Sequence, residues 1–132
     1  MMNKILIMLL LLLTTRAFAE WTPVGDNDGD DDRSTFVDLG TLKKLDNKVN
    51  IWYLLDFDRI QMYINDRYSS SVTHVEYDCD EDTSRKLDFL IYSGNMATGD
   101  VLHSQSNLKE EPRSVMPASF DEILLKIACE KK

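Results

Sequence analysis

Two cysteines fifty positions apart, Cys79 and Cys129, constrain this chain more than any other feature. The first closes a stretch with period-two alternation, and the second lies in a stretch with helical period. Whether such a pair bonds depends on the compartment, and the N-terminus speaks to that. Residues 1–19 carry a basic residue at Lys4, an unbroken apolar run from Ile5 to Leu13, and the small-x-small sequence Ala17-Phe18-Ala19. The run is far shorter than the roughly 20 residues a spanning helix needs. This pattern predicts a signal peptide over 1–19, cleaved to leave a single domain over 20–132 in the periplasm or outside the cell. No cysteine follows the apolar run, so the lipid attachment of bacterial lipoproteins is not expected.

In an oxidising compartment one even pair of cysteines most simply forms one disulfide. Closing a loop of that length stabilises a fold by about 4 kcal/mol on the chain-entropy account. The alternative, a pair of redox-active thiols, lacks the Cys-x-x-Cys spacing. Charge narrows the partners further. The formal net charge is −8, and loss of the leader with Lys4 and Arg16 takes it to −10. Such a surface repels nucleic acid and anionic lipid head groups.

Period-two alternation dominates the middle of the chain. In KVNIWYLLDF, Val49, Ile51, Tyr53, Leu55 and Phe57 fall on one side, and Asn50, Trp52, Leu54 and Asp56 on the other. Both sides are partly apolar, whereas a sheet with one covered face shows a cleaner alternation. Trp52 and Leu54 therefore ask for a cover, either another layer of the chain or a second copy in a homodimer. SVTHVEYDC and RKLDFLIYS read as a hairpin joined by the short polar link DEDTS. GDVLHS predicts a further short strand, as do WTPV and STFVD near the start of the mature chain. Asn107 to Pro117 reads as a crossing loop.

The period then changes. SFDEILLKIAC opens with Ser119 and Glu122 in capping-box spacing, and Pro117 precedes the cap. Phe120, Ile123, Leu124, Ile127 and Ala128 recur at helical spacing. Cys129 falls about 180° from Phe120 at 100° per residue, so a bridge from it would tie the helix flank to the strand bearing Cys79. The expected fold is α+β: a mostly antiparallel sheet of about six strands with one C-terminal helix packed on a face and disulfide-linked to it.

Between WTPV and STFVD lies DNDGDDDR, crowded with aspartates. With Gly29 at the sixth position of a calcium loop, Asp26 and Asp28 take the third and fifth. The first position is then Val24 and the twelfth Thr35, so both ends of the motif fail. A non-standard cation site using Asp26, Asp28, Asp30 and Asp32 is the alternative to a solvated hairpin turn at Gly29. It would make the chain a periplasmic cation- or small-ligand-binding protein. The solvated turn is the simpler reading.

Catalytic chemistry has no comparable signal. His74 and His103 sit in separate segments without metal-ligand spacing, and no nucleophile elbow or phosphate-cradling glycine run occurs. The pairs Asp56/Asp58 and Asp78/Asp80 share strand faces but read as exposed charge. No cofactor and no enzymatic activity are expected. Trp52, Tyr63, Tyr68 and Tyr92 are aromatic residues of the kind enriched at protein interfaces.

Several short stretches carry a family resemblance. Glu76-Tyr77-Asp78-Cys79 resembles the strand-ending Asp-Cys motif of the bacterial surface-adhesin protein E family. Val115-Met116-Pro117-Ala118-Ser119, followed by Glu122 through Cys129, is similar to that family's closing helix and cysteine. Trp52-Tyr53-Leu54-Leu55-Asp56 resembles its central strand, and Trp21 with Phe36-Val37-Asp38 its opening hairpin. Ala118 stands where glycine is often found in the family. The resemblance implies an antiparallel sheet joined to a C-terminal helix through Cys79–Cys129, frequent dimer formation, and binding of host extracellular proteins. The family's namesake is held at the surface by a lipid, an attachment not expected here because no cysteine follows the apolar run.

Overall fold

The computed structural model describes residues 20–24 and 33–130. The expected signal peptide and the run holding Asp26, Asp28, Asp30 and Asp32 lie outside these residues. The strands are β1 (Thr22–Pro23), β2 (Arg33–Leu45), β3 (Lys48–Tyr63), β4 (Asp66–Asp78), β5 (Thr83–Tyr92), β6 (Val101–Gln105) and β7 (Arg113–Ser114), followed by helix α1 (Phe120–Cys129). They form one sheet in the order β1-β2-β3-β4-β5-β6, with β7 pairing the far end of β5. Every pairing is antiparallel. Each strand from β1 to β6 lies beside its predecessor in sequence, as short polar links favour. The expected α+β fold, with its single C-terminal helix tied to the sheet, is the one observed.

Residues opposite one another in register share a face. One face brings together Val37 of β2, Val49, Ile51 and Tyr53 of β3, and Val75 and Tyr77 of β4. Leu124, Leu125 and Ala128 of α1 close over them to make the core. The Tyr53 and Phe120 rings meet edge to face at 5.8 Å. Cys79, just past β4, bonds Cys129 at the last residue of the helix, with Cα atoms 5.7 Å apart.

The disulfide also explains which side of the helix is buried. Ile123 and Ile127 belong to the expected apolar stripe but are only half-buried, whereas Leu125 is buried. Leu125 lies one turn before Cys129, so a helix tethered through Cys129 turns that flank toward the sheet. Ser119 caps the helix, accepting from the Glu122 backbone N–H at 3.2 Å. Half of the expected capping box forms: the Glu122 carboxylate reaches forward to Lys126 Nζ at 3.3 Å.

β3 and β4 run well past the segments expected from alternation. The β3–β4 register shifts between Asp56 and Gln61, and a two-strand ribbon continues to a turn at Ile64 and Asn65. Asp58 and Arg59 interrupt the alternation there, and the turn contains neither glycine nor proline. Instead Ile64 adopts φ 57°, a left-handed conformation uncommon for a β-branched residue.

Candidate functional site

Among the described residues, no helix lies over the opposite face of the sheet. Its central row runs Asp38, Trp52, His74 and Asp88 from β2 to β5. The Trp52 and His74 rings lie parallel to within 3° at 4.7 Å. His74 Nδ1 faces Asp88 Oδ2 at 2.8 Å, which fixes the plane of the imidazole and so the stack. A bulge in β2 between Asp38 and Lys43 bows the chain away opposite Trp52. Within it Thr41 Oγ1 donates to the Asp38 carbonyl at 2.7 Å and accepts from the Trp52 backbone N–H at 3.1 Å. The bulge therefore keeps the backbone satisfied while leaving the Trp52 side chain room.

The next row holds Phe36, Leu54, Val72 and Leu90. The β5–β6 loop, residues 93–100, bends back over this end of the face. Asp56 Oδ1 accepts from the Met96 backbone N–H at 2.8 Å and from Asn95 Nδ2 at 3.1 Å. Ser70, fully buried, donates from Oγ to the Gly94 carbonyl at 2.6 Å and accepts from the Ala97 backbone N–H at 2.9 Å. Gly94 is required there, because a Cβ would come within 2.9 Å of the Thr98 carbonyl oxygen. Met96 and Ala97 are consecutive left-handed residues, a strained arrangement held by those hydrogen bonds.

Between loop and row opens a groove of about 710 Å³, lined chiefly by Trp21, Trp52, Val72, Leu90, Tyr92 and Met96. Two tryptophans, a tyrosine and a methionine on one concave surface form the composition that marks protein interface cores. A groove of this kind holds an apolar side chain by burial, with Asp38, Thr41 and Thr98 adding polar groups to its lining.

The residues singled out from sequence divide accordingly. Trp52 and Tyr92 come together in the groove. Leu54 is fully buried beside the loop anchors, so the chain itself supplies its cover. Tyr68 packs edge to face on Phe57 at 5.7 Å, and Tyr63 lies against His103 at 4.9 Å, both away from Trp52. Asp56 anchors the loop. Asp78 accepts from the Glu81 and Asp80 backbone N–H groups at 3.0 Å each, and from Asn47 Nδ2 at 2.8 Å. The Glu81 bond first, then the Asp80 and Asn47 bonds, hold its carboxyl below the ordinary carboxylate range. These acids are turn-forming acceptors. No group of three or more His, Cys, Asp or Glu side chains converges as a metal site among the described residues, and no helix among them is long and apolar enough to cross a membrane.

The loop's part in the groove carries no signal of its own in the sequence. Gly94 and Gly99 mark a turn, but nothing in a linear pattern says that the turn folds back onto Asp56 and Ser70.

Comparison with solved structures agrees with this architecture. The selenomethionine form of Haemophilus influenzae protein E superposes with a TM-score of 0.62 at 13% identity, over 89% of this chain and 91% of that one. Crystal form II of the same protein gives 0.61 at 11% identity, over 83% of this chain and 96% of that one. Protein E from the non-typeable bacterium gives 0.58 at 11% identity, over 84% of each chain. Among curated proteins no sequence matches. At such identities the shared property is the fold. The sequence itself carries the assignment further, since the family model described as surface-adhesin protein E matches residues 21–130. That span takes in β1, the helix, both cysteines and the groove, and the chain belongs to the surface-adhesin protein E family.

Proposed function

We propose that the chain is an exported, non-enzymatic protein-binding module that holds an apolar side chain of its partner in the Trp52 groove. The observation that carries this reading is the groove itself. Aromatic and sulfur-containing side chains are concentrated on the sheet face that no helix of the described residues covers, beneath a loop fixed by part-buried hydrogen bonds. Family membership supports a surface adhesin, and a host extracellular protein is the partner this reading favours. Export would follow cleavage after Ala19, testable by N-terminal sequencing of the exported protein.

The test is capture of extracellular proteins by the immobilised mature chain, compared with Trp52→Ala and Met96→Glu. Both variants should melt within a few degrees of the parent and lose most of the capture. Undiminished capture by both variants would remove the groove from consideration. A second copy is the other candidate occupant. Light scattering that shows a dimer in the parent and a monomer in Met96→Glu would assign the groove to self-association instead.

A further inference from the structure

The open face continues past the Trp52–His74 stack to the β2–β3 turn, and there its character changes. Lys43, Lys44 and Lys48 stand around a cleft of about 660 Å³, with Asp46, Asn47, Asn50 and Glu76 in its wall, so the lysines outnumber the acids by one. In register, Lys43 lies opposite Asn50 and Asn50 opposite Glu76, the row after Trp52 and His74. Groove and cleft are therefore neighbours on one surface.

Two observations show that two of the lysines and the Asn50 side-chain oxygen lack partners among the described residues. Glu76 is engaged already, accepting from Arg85 Nε at 2.8 Å with Lys48 Nζ at 4.0 Å. Lys43 and Lys44 make no ion pair among the described residues, although acids outnumber bases 23 to 15 in the sequence. Independently, Asn50 Oδ1 is buried without a hydrogen-bond partner. A buried acceptor left unpaired is costly, and a donor delivered by a ligand removes that cost. The cleft thus calls for anionic oxygens beside an N–H or O–H donor. An extended acidic peptide supplies both, through its carboxylates and its backbone amides.

We infer that groove and cleft take one ligand, an extended acidic segment of a protein laid along β3, with an apolar side chain in the groove and carboxylates at the lysines. The inference rests on the groove being the binding site. It adds charge and spacing. Val72 of the groove stands opposite Leu54, and Leu54 lies four residues from Asn50 on β3, roughly 13 Å at about 3.3 Å per residue. An extended ligand then carries its first carboxylate about four positions from its apolar anchor. The chain's overall negative charge opposes an acidic partner only weakly at contact, because charges beyond about 8 Å are largely screened in physiological salt.

Fluorescence anisotropy with short labelled peptides tests this. One peptide has a phenylalanine and two glutamates beginning four positions later. A second has lysines for the glutamates, and a third has serine for the phenylalanine. The acidic peptide should bind the mature protein at least about tenfold tighter than either control, a difference of about 1.4 kcal/mol. The preference over the lysine peptide should disappear in the Lys43→Gln, Lys44→Gln double variant, whose changes are at exposed side chains and should leave the melting temperature unchanged. Equal binding of the glutamate and lysine peptides would overturn the inference while leaving the groove intact, provided Trp52→Ala still abolishes both. Absence of binding by the acidic peptide would overturn the inference alone, since capture of extracellular protein tests the groove separately. Binding of heparin, lost in the double variant, with no binding of the acidic peptide would assign the lysines to a sulfated polysaccharide and also overturn it.

Discussion

Tyr77 of β4 donates its hydroxyl hydrogen to Asp121 Oδ1 in the first turn of α1 at 2.6 Å, across 44 residues of sequence. Ser84 Oγ donates to the other carboxylate oxygen at 3.0 Å. Burial and the adjacent Asp121 carboxylate push the Tyr77 phenol far above its ordinary value, so it stays a donor. Tyr77→Phe keeps the ring but removes one of the two donors to this part-buried acid. It should cost about 1–3 kcal/mol, the usual range for stranding a polar group, measured by denaturant unfolding. An unchanged midpoint would mean that the helix does not depend on this contact.

The disulfide should carry a comparable or larger share of the stability. Cys129→Ser is expected to lower it by about 2–5 kcal/mol. Reductant should shift the parent's melting temperature downward and leave that of the variant unmoved. Coincident melts of the parent with and without reductant would contradict this.

Ala118, immediately before the helix cap, adopts φ 60°, a left-handed backbone that suits glycine. Ala118→Gly should therefore raise stability by about 0.5–1 kcal/mol, even though it removes a methyl group and loosens the unfolded chain. A loss of stability would show that the alanine methyl is worth more than the relief of strain.

Tyr53 gives the fold an alkaline limit. Burial pushes its phenol from 10.0 up to about 12, partly offset by its hydrogen bond with Thr73. A group whose folded value is raised stabilises the fold fully below its unfolded value, and that contribution fades as pH rises through the folded one. Stability should thus decline between pH 10.0 and about 12. Tyr53→Phe should be less stable at neutral pH through loss of the Thr73 bond, and show a shallower decline over that interval. Parallel curves for parent and variant would sink the assignment.

Ser70 tests the loop. Ser70→Ala deletes both the bond to the Gly94 carbonyl and the acceptor for the Ala97 N–H, in a fully buried place. Hydrogen exchange at Gly94 and Ala97 should quicken, and any ligand of the groove should bind more weakly. Amide protection unchanged from the parent would show that Asp56 holds the loop unaided.

Much of this architecture is legible in the chain because the relevant physics is local. The alternation from Val49 to Tyr53 sets the core face of β3, and the change of period at Ser119 sets α1. Two cysteines in an exported chain set the tether. Asp121 shows where local patterns stop. At the second helical position it reads as a favourable charge for the dipole, yet it turns toward the sheet because Cys129 dictates the roll of the helix. The groove escapes for the same reason. Its wall is built by Asp56 and Ser70 capturing a loop 24 to 40 residues further along. Trp52 and Leu54 correctly signal that the second face needs cover, but cannot say that Leu54 obtains it within the chain. Three lysines spread around a turn look like ordinary surface until the register sets Lys43 opposite Asn50 and the cleft gathers the other two beside it.

The bond between Cys79 and Cys129 also orders events during export. A chain crossing a membrane from its N-terminus delivers Cys79 fifty residues before its mate. During that interval the early hairpins can already zip together, with one reactive sulfur at the end of β4. No wrong choice exists within the molecule, since it holds only two cysteines. The mispairing open to it is instead with a second chain, through the sulfur that waits at the end of β4.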